Sequence, residues 1–179
     1  MAKLKTRQFG TIQCNDNAAV TFPLGLLGFE SSKRFALVEH ADAAPLVFLQ
    51  SLDSEELYFI TAPVQAIDKS YELALLDDDI RQLGLDPNRT PSAEDVVCLA
   101  ILSAPVKGPA TANLSAPIVI SPTTRNAIQS VRIDGRYSHQ HPISDANTIA
   151  MNKATQSKEA ISKEMPGKLP MGASTVKVA

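Results

Sequence analysis

The most informative segment of the sequence is Phe22-Pro23-Leu24-Gly25-Leu26-Leu27-Gly28-Phe29-Glu30, which places five large apolar side chains, one proline and two glycines within nine residues. Pro23 fixes its own φ angle and has no backbone N–H to donate, and the glycines allow conformations that other residues avoid. This composition excludes a regular helix and predicts a sharply shaped apolar loop that leaves a strand. Such a loop either fills a core or offers a rigid hydrophobic surface to a partner.

Short segments with strand character surround this loop. Val96 to Leu102 is apolar on both faces, which predicts a strand in the middle of a sheet. The segments 46–52 and 57–61 predict a hairpin across 53–56. Strands are predicted at 9–14, 19–22, 35–39, 46–52, 57–61, 71–76, 96–103, 118–121 and 130–133. Many short strands at this spacing indicate an antiparallel barrel or sandwich, so the predicted fold is mostly β, a single-domain antiparallel β-barrel-like structure.

One short helix is predicted between three consecutive aspartates, which favour its N-terminal end, and a Leu-Gly pair that favours its C-terminal end. Asp77, Asp78 and Asp79 place negative charge at the positive end of the helix dipole, and Gly84 suits the C-terminal end. A magnesium or calcium site is the alternative for three acids. Such sites gather oxygen ligands from separated positions, so capping is favoured over metal binding.

The composition changes near residue 144. Residues 145–179 have no aromatic side chain, are rich in Ala, Ser, Thr and Lys, and contain five lysines against three acids. We therefore expect a folded body over 1–144 and a disordered or transiently helical basic tail over 145–179. The full chain carries 17 basic and 19 acidic residues, which leaves 12 basic and 16 acidic residues in the body.

The acidic body argues against direct binding to nucleic acid and fits a basic protein partner. No apolar run approaches the roughly 20 residues that span a bilayer, and no apolar segment typical of a signal peptide follows Met1. Cys14 and Cys98 lie in apolar segments. Together these observations predict a cytoplasmic protein with reduced, buried thiols and no membrane association.

Residue types that carry catalysis are sparse. His139 and His141 could offer two imidazoles to a metal, and His40 with Asp42 or Asp53 could be drawn as a hydrolase triad, but both patterns use common residues without supporting motifs. The Gly25–Gly28 segment lacks the lysine and the spacing of a phosphate loop. We expect no cofactor and no metal. A small β-barrel enzyme or ligand-binding protein of unknown substrate remains the alternative to a binding protein.

A second cluster runs from Ala112 to Ile120. Asn113 can hold a turn by bonding to backbone groups two residues on, and Pro117 at the start of a strand predicts an edge strand, because proline cannot donate to the ladder. Purely structural roles for both residues are one interpretation. The other is that this edge and the apolar loop together form a docking site for a protein.

The order of these segments resembles the FliW flagellar assembly factors. The resemblance covers residues 6–143 and depends on five motifs: Phe-Pro-x-Gly-Leu-x-Gly-Phe-Glu (22–30), Phe-Leu-Gln-Ser-Leu-Asp (48–53), Asp68-x-x-Tyr71, Thr-Ala-Asn-Leu-Ser-Ala-Pro-Ile-Val-Ile (111–120) and Tyr137-x-x-x-His141-Pro142-Ile143. One departure is Ala62 before Pro63, where the family has an Asn-Pro turn.

The resemblance implies a non-enzymatic regulator with an antiparallel β-barrel fold. Its implied partners are flagellin and the RNA-binding translational regulator CsrA. Free FliW captures CsrA and relieves repression of flagellin synthesis, and accumulated flagellin captures FliW and restores that repression.

Two sets of residues are the candidates for binding these partners. The predicted protein-binding residues are Phe22, Pro23, Leu24, Gly25, Leu26, Gly28, Phe29, Glu30, Asn113, Leu114 and Pro117. The predicted acidic face for basic CsrA is Glu55, Glu56, Asp77, Asp78 and Asp79.

Overall fold

An antiparallel sheet that nearly closes on itself forms the body of the molecule. The computed structural model describes residues 2–7, 10–14, 19–39, 43–105, 108–143 and 177–178. The elements in chain order are β1 (Ala2–Thr6), β2 (Gly10–Cys14), β3 (Val20–Thr21), β4 (Arg34–Glu39), β5 (Val47–Ser51), β6 (Tyr58–Pro63), α1 (Val64–Ile67), β7 (Glu72–Leu73), α2 (Asp77–Leu83), β8 (Val97–Ser103), β9 (Thr111–Ile120), β10 (Ala127–Gln129), β11 (His141–Pro142) and β12 (Lys177–Val178).

The main sheet has the strand order β10-β9-β8-β6-β5-β4-β3, and β11 also pairs with β9. Its two ends approach each other where Thr21 forms a bridge with Asn126 and the Thr21 N–H donates to the carbonyl of Arg125 at 2.9 Å. β1 and β2 form a separate hairpin. The predicted β-barrel-like fold is therefore confirmed.

The sheet buries apolar side chains on both faces, because neighbouring residues of a strand point to opposite sides. On β4, Phe35 and Leu37 belong to one buried cluster, and Ala36 and Val38 belong to the other. The first cluster also receives Phe22 from the apolar loop, whose ring packs edge-on against Phe35 at 5.3 Å between centroids.

A polar cluster covers part of the second face. The rings of Tyr71 and Tyr137 lie 4.4 Å apart, and the guanidinium of Arg132 lies over Tyr137 at 4.8 Å. Arg132 forms an ion pair with Asp134, and its side chain is only 5% exposed. The Tyr71 hydroxyl donates to the carbonyl of Leu114 at 3.0 Å, and burial raises the pKa of Tyr71 well above its ordinary value.

Several predicted elements are confirmed. β8 lies between β6 and β9, as expected for a strand that is apolar on both faces, and β5 and β6 form the predicted hairpin. The predicted helix is α2. It ends at Gly84, which has a positive φ of 69°, and the Asp79 carboxylate accepts a hydrogen bond from the Leu76 N–H at 3.2 Å at the other end.

Other predictions were wrong. The prediction of one helix missed α1, which has only four residues and follows β6 directly. The strand predicted at 118–121 begins earlier, because Thr111–Ile120 form β9 and include the cluster from Ala112 onward. The predicted strand 130–133 is not a strand, although Ser130 N–H donates to Pro117 O at 2.9 Å. Because Pro117 has no N–H, it cannot return this bond to Ser130, and the β10 ladder stops at Gln129.

The predicted tail over 145–179 lies outside the described residues, except for β12. This short strand pairs in parallel with β7 through Lys177 opposite Glu72 and Val178 opposite Leu73.

Candidate functional site

The apolar loop divides its large side chains between the core and the surface. Phe22 and Leu26 are buried, whereas Leu24 is 66% exposed, Leu27 is 61% exposed and Phe29 is 42% exposed. We call Leu24, Leu27 and Phe29 the apolar crest. The loop therefore does both things that its composition allows, because two residues fix it to the core and three remain open to solvent.

Local backbone bonds hold the crest in one shape. Gly25 and Gly28 both have a φ of 81°, which side chains disfavour. A side chain at Gly25 would also place its Cβ 2.6 Å from the Cα of Glu30. The Phe29 N–H donates to Leu26 O at 2.8 Å, which closes a turn across Leu27 and Gly28.

The acid that ends the loop stabilises the same turn. A Glu30 carboxylate oxygen accepts a hydrogen bond from the Gly28 N–H at 2.8 Å. This bond lowers the pKa of Glu30 below its ordinary value of 4.5, with a smaller contribution from Lys33. The Lys33 ammonium group also donates to the carbonyl of Pro23 at 3.1 Å, so both ends of the loop are held.

A pocket of about 240 Å³ lies between the loop, α2 and β10. Its lining residues are Leu24, Gly25, Leu26, Leu27, Glu30, Asp79, Gln82, Ala127, Ile128 and Gln129. The volume is below the roughly 300–1,000 Å³ of typical small-molecule sites. The pocket instead provides a recess beside exposed leucines, which suits a side chain from another protein.

Gln129 connects the two clusters that the sequence singled out. Its side-chain oxygen accepts a hydrogen bond from the Leu27 N–H at 3.2 Å, and its side-chain nitrogen donates to Ala116 O at 3.3 Å. The sequence analysis missed this residue. A single glutamine carries no local signal, and its role depends on the register that places β10 beside β9.

The predicted docking residues of the second cluster lie within the sheet. Leu114 is fully buried, Pro117 is buried, and the Asn113 side-chain oxygen accepts a hydrogen bond from the Ala116 N–H at 3.0 Å. β9 has four residues, Leu114 to Pro117, opposite the single residue Ala100 of β8. We call this irregular stretch with Asn113 the β9 bulge.

The edge-strand prediction for Pro117 was therefore wrong. β9 lies inside the sheet, with β8 on one side and β10 and β11 on the other. Proline is tolerated at bulges as well as at edges, and Pro117 lies where β9 departs from its regular register with β8.

The predicted acidic residues lie in two different places. Glu55 and Glu56 are in the β5–β6 turn, where the Arg7 N–H donates to Glu55 O at 3.2 Å and the Arg7 guanidinium lies 3.6 Å from the Glu56 carboxylate. Asp79 lines the pocket and accepts a hydrogen bond from the Ser130 hydroxyl at 2.8 Å. Asp78 forms an ion pair with Arg81 on α2.

Those of the residues weighed for chemistry that the structure describes do not converge. Within the described ranges, no group of three or more His, Cys, Asp and Glu is placed to hold a metal ion. His141 pairs with Ala112 in β11, and His40 and Asp42 lie outside the described part of the chain. Asp53, the other acid of the possible triad, accepts hydrogen bonds from the backbone N–H groups of Lys33 and Arg34.

Cys98 is a free, buried thiol, and burial raises its pKa well above the ordinary value. The side chain of Cys14 is not among those described. Of the helices in the described ranges, none is long and apolar enough to cross a membrane.

The loop, the pocket and the β9 bulge all fall within the part of the chain that matches a known family. The family model described as FliW protein matches residues 3–143. The chain belongs to the FliW family. The resemblance predicted from the five motifs is thus confirmed, and the matched range ends just before the expected tail.

FliW relatives match the chain over nearly their whole length. The flagellar assembly factor FliW of Bacillus licheniformis is 35% identical over 143 residues, which cover 78% of this chain and 95% of the relative. The flagellar assembly factor FliW of Thermosipho africanus is 32% identical over 145 residues, which cover 80% of this chain and 96% of the relative.

A crystal structure of the flagellar assembly factor FliW has the same fold. It superposes with a TM-score of 0.71 at 29% sequence identity and covers 81% of this chain and 99% of the solved chain. The FliW fold therefore corresponds to the body of this protein.

Proposed function

We propose that the protein is a non-enzymatic, cytoplasmic flagellar assembly factor that acts by binding other proteins. Its partner is flagellin, and when flagellin is absent it binds the translational regulator CsrA and relieves repression of flagellin synthesis. Membership of the FliW family supports this proposal, because the relatives are named as flagellar assembly factors.

The apolar crest is the observation that carries the proposal. Leu24 and Leu27 are each more than 60% exposed, on a loop whose shape is fixed by buried side chains and backbone hydrogen bonds. Exposed apolar groups on a rigid support are typical of protein interaction sites, because they add apolar contact area without a large ordering cost.

The pocket beside the crest suggests how a flagellin segment binds. An amphipathic helix would place one apolar side chain in the recess and pack its neighbours against Leu24 and Leu27. Asp79 and Glu30 line the same pocket, so a basic residue at the edge of that helix would be favoured.

The test is the affinity of purified flagellin for crest variants, measured by isothermal titration calorimetry. Leu24→Ala and Leu27→Ala should each weaken binding by about 2 kcal/mol, roughly thirtyfold, as expected for truncation of a central contact. Leu76→Ala is the matched control, because Leu76 is 54% exposed but lies outside the crest. Equal affinities for all four proteins would refute this binding site.

The acidic residues are tested separately with purified CsrA. Asp77→Lys and Glu55→Lys reverse charge at the two different acidic places. If one of these acidic groups attracts CsrA, the variant at that group should associate more slowly, and its association rate should depend less on salt. The variant at the other group should change little. If neither variant changes the rate or its salt dependence, the acidic residues do not guide CsrA.

A further inference from the structure

The hydrogen bonds inside the apolar loop fix its shape but not its orientation. Gly25 N–H donates to Phe22 O at 3.1 Å. The bond from Phe29 N–H to Leu26 O closes the next turn at 2.8 Å. Both bonds join residues of the loop itself, so they leave open how the loop lies against the rest of the molecule.

Packing orients two of the large side chains. Leu26 is buried in the core, and the Phe29 ring packs edge-on against Phe59 of β6 at 5.2 Å between centroids. Leu27 lies between these two anchors in sequence, but its own side chain is mostly in solvent. The direction of that side chain therefore depends on how the backbone at Leu27 is held.

Gln129 of β10 holds this backbone from outside the loop. The Leu27 N–H donates to the Gln129 side-chain oxygen at 3.2 Å. In the described part of the chain, the other hydrogen bonds of residues 22–30 have both partners within 22–33. Among these described bonds, the one to Gln129 is thus the one that ties the loop to a distant strand.

The β9 bulge fixes the Gln129 carboxamide in turn. The side-chain nitrogen of Gln129 donates to Ala116 O at 3.3 Å, and the Ala116 N–H donates to the Asn113 side-chain oxygen at 3.0 Å. A carboxamide carries both a donor and an acceptor, whereas an ionised carboxylate only accepts and an alkyl chain does neither. Hydrogen bonds therefore connect the bulge to the crest through this one side chain.

Ser130, the next residue, contacts the opposite wall of the pocket. Its hydroxyl donates to the Asp79 carboxylate of α2 at 2.8 Å, and both Asp79 and Leu27 line the pocket. The end of β10 thus holds the loop on one side of the recess and α2 on the other. A surface that is held in this way loses little conformational entropy when a partner docks.

We infer that Gln129 is a positioning residue, whose carboxamide holds the backbone at Leu27 so that the Leu27 side chain is already oriented for contact with flagellin. The inference rests on the proposed function, because flagellin is the partner assigned to the apolar crest. Through Ala116 and Gln129, the β9 bulge supports the crest although it lies inside the sheet.

Amide hydrogen exchange, followed by NMR on the free full-length protein, tests the positioning directly. The Leu27 amide of the unmodified protein should be protected, and Gln129→Met should speed its exchange by about tenfold, because the acceptor is lost. The Phe29 amide is the internal control, since it donates within the loop and should exchange at an unchanged rate. An unprotected Leu27 amide in the unmodified protein would overturn the inference without any substitution.

Isothermal titration calorimetry with purified flagellin tests what the positioning does for binding. Gln129→Met has a side chain of similar length but lacks both hydrogen bonds, and it should weaken binding by about tenfold. Gln140→Met is the matched control, because Gln140 is exposed and does not line the pocket, and it should stay within about twofold.

A double variant separates positioning from direct contact, because Gln129 also lines the pocket. Leu27→Ala removes the side chain that Gln129 orients. If Gln129 acts through Leu27, the protein with both Leu27→Ala and Gln129→Met should bind flagellin within about twofold of Leu27→Ala alone. A loss equal to the product of the two single losses would mean that Gln129 contacts flagellin itself, and the positioning role would be wrong.

The remaining outcomes distinguish this inference from the proposed function. If flagellin binds the unmodified protein and Gln129→Met binds it as tightly as Gln140→Met does, the positioning role is wrong and the proposed function stands. If flagellin does not bind the unmodified protein, the proposed function fails and the positioning role fails with it.

Discussion

The loop from Phe22 to Glu30 and the β9 bulge from Asn113 to Pro117 both contain apolar residues, a proline and a turn-forming residue, yet they differ in what they expose. The loop keeps Leu24 and Leu27 in solvent, and the bulge buries Leu114 and Pro117 completely or nearly so. Among the strands of the described ranges, none pairs with the loop, whereas β9 has a neighbouring strand on each side.

A motif of unusual residues therefore marks an irregular backbone, and the motif alone does not show whether that backbone is exposed. In the loop, two positive φ angles direct three apolar side chains outward. In the bulge, Asn113 uses its side chain to bond to the Ala116 N–H, which would otherwise lack a partner inside the sheet. Whether the apolar side chains of such a motif are exposed or buried depends on the strands that lie beside it.

The largest expected effect is a difference in the free energy of unfolding between a variant of the β9 bulge and a variant of the loop. Leu114→Ala should lower the free energy of unfolding by about 2–5 kcal/mol, because it leaves a cavity at a fully buried site. Leu24→Ala should change it by less than about 0.5 kcal/mol, because that side chain is mostly in water. Urea unfolding followed by circular dichroism measures both. Similar losses for the two variants would contradict the division between fold and surface.

The second test lies within the loop and uses its two glycines as a matched pair. Both have a φ of 81°, so Gly28→Ala should cost about 1 kcal/mol from backbone strain alone. Gly25→Ala should cost about 3 kcal/mol or more, because its Cβ would also overlap the backbone of Glu30. The thermal midpoints of the two variants check the difference. Equal midpoints would mean that the loop adjusts freely around Gly25.

The smallest expected effect concerns pH. The Gly28 N–H holds the pKa of Glu30 below 4.5 in the folded protein, so this carboxylate stabilises the fold above that pH. The contribution is lost as the pH falls through the lowered folded value. Glu30→Gln should therefore be slightly less stable than the unmodified protein at neutral pH and equally stable at strongly acidic pH.

Carboxyl NMR titration and urea unfolding at several pH values measure this effect. The β9 bulge has no titratable side chain between Asn113 and Pro117, so the response belongs to the loop. A Glu30 titration midpoint at or above 4.5 would contradict the hydrogen bond to Gly28.

Much of the fold is predictable from local patterns. The continuous apolar run of β8 predicts its central place, and the acids in the first turn of α2 with Gly84 after it predict the helix and its end. These signals work because burial on both faces and helix capping depend mainly on residues close in sequence.

What the sequence does not predict depends on contacts between distant segments. Ser130 to Ile133 has strand composition, but Pro117 on the neighbouring strand cannot return a hydrogen bond, so the ladder ends. α1 is a single turn of helix directly after a strand and has no sequence signal of its own.

The candidate site also has features that local sequence predicts and features that depend on contacts between distant segments. The loop composition predicts an apolar surface, but which of its side chains face solvent follows from the packing of Phe22 and Leu26. The two hydrogen bonds of Gln129, which join Leu27 to the β9 bulge, depend on strand register, which no single segment reveals.

The close, tilted pair of Tyr71 and Tyr137 gives the protein a useful optical property. The chain has three tyrosines and no tryptophan, so its near-ultraviolet circular dichroism reports largely on this pair and on the arginine over it. Loss of that signal would mark the melting of this one cluster, separately from the backbone. A partner that contains tryptophan could be excited selectively in a mixture, and its emission would then follow complex formation without any label.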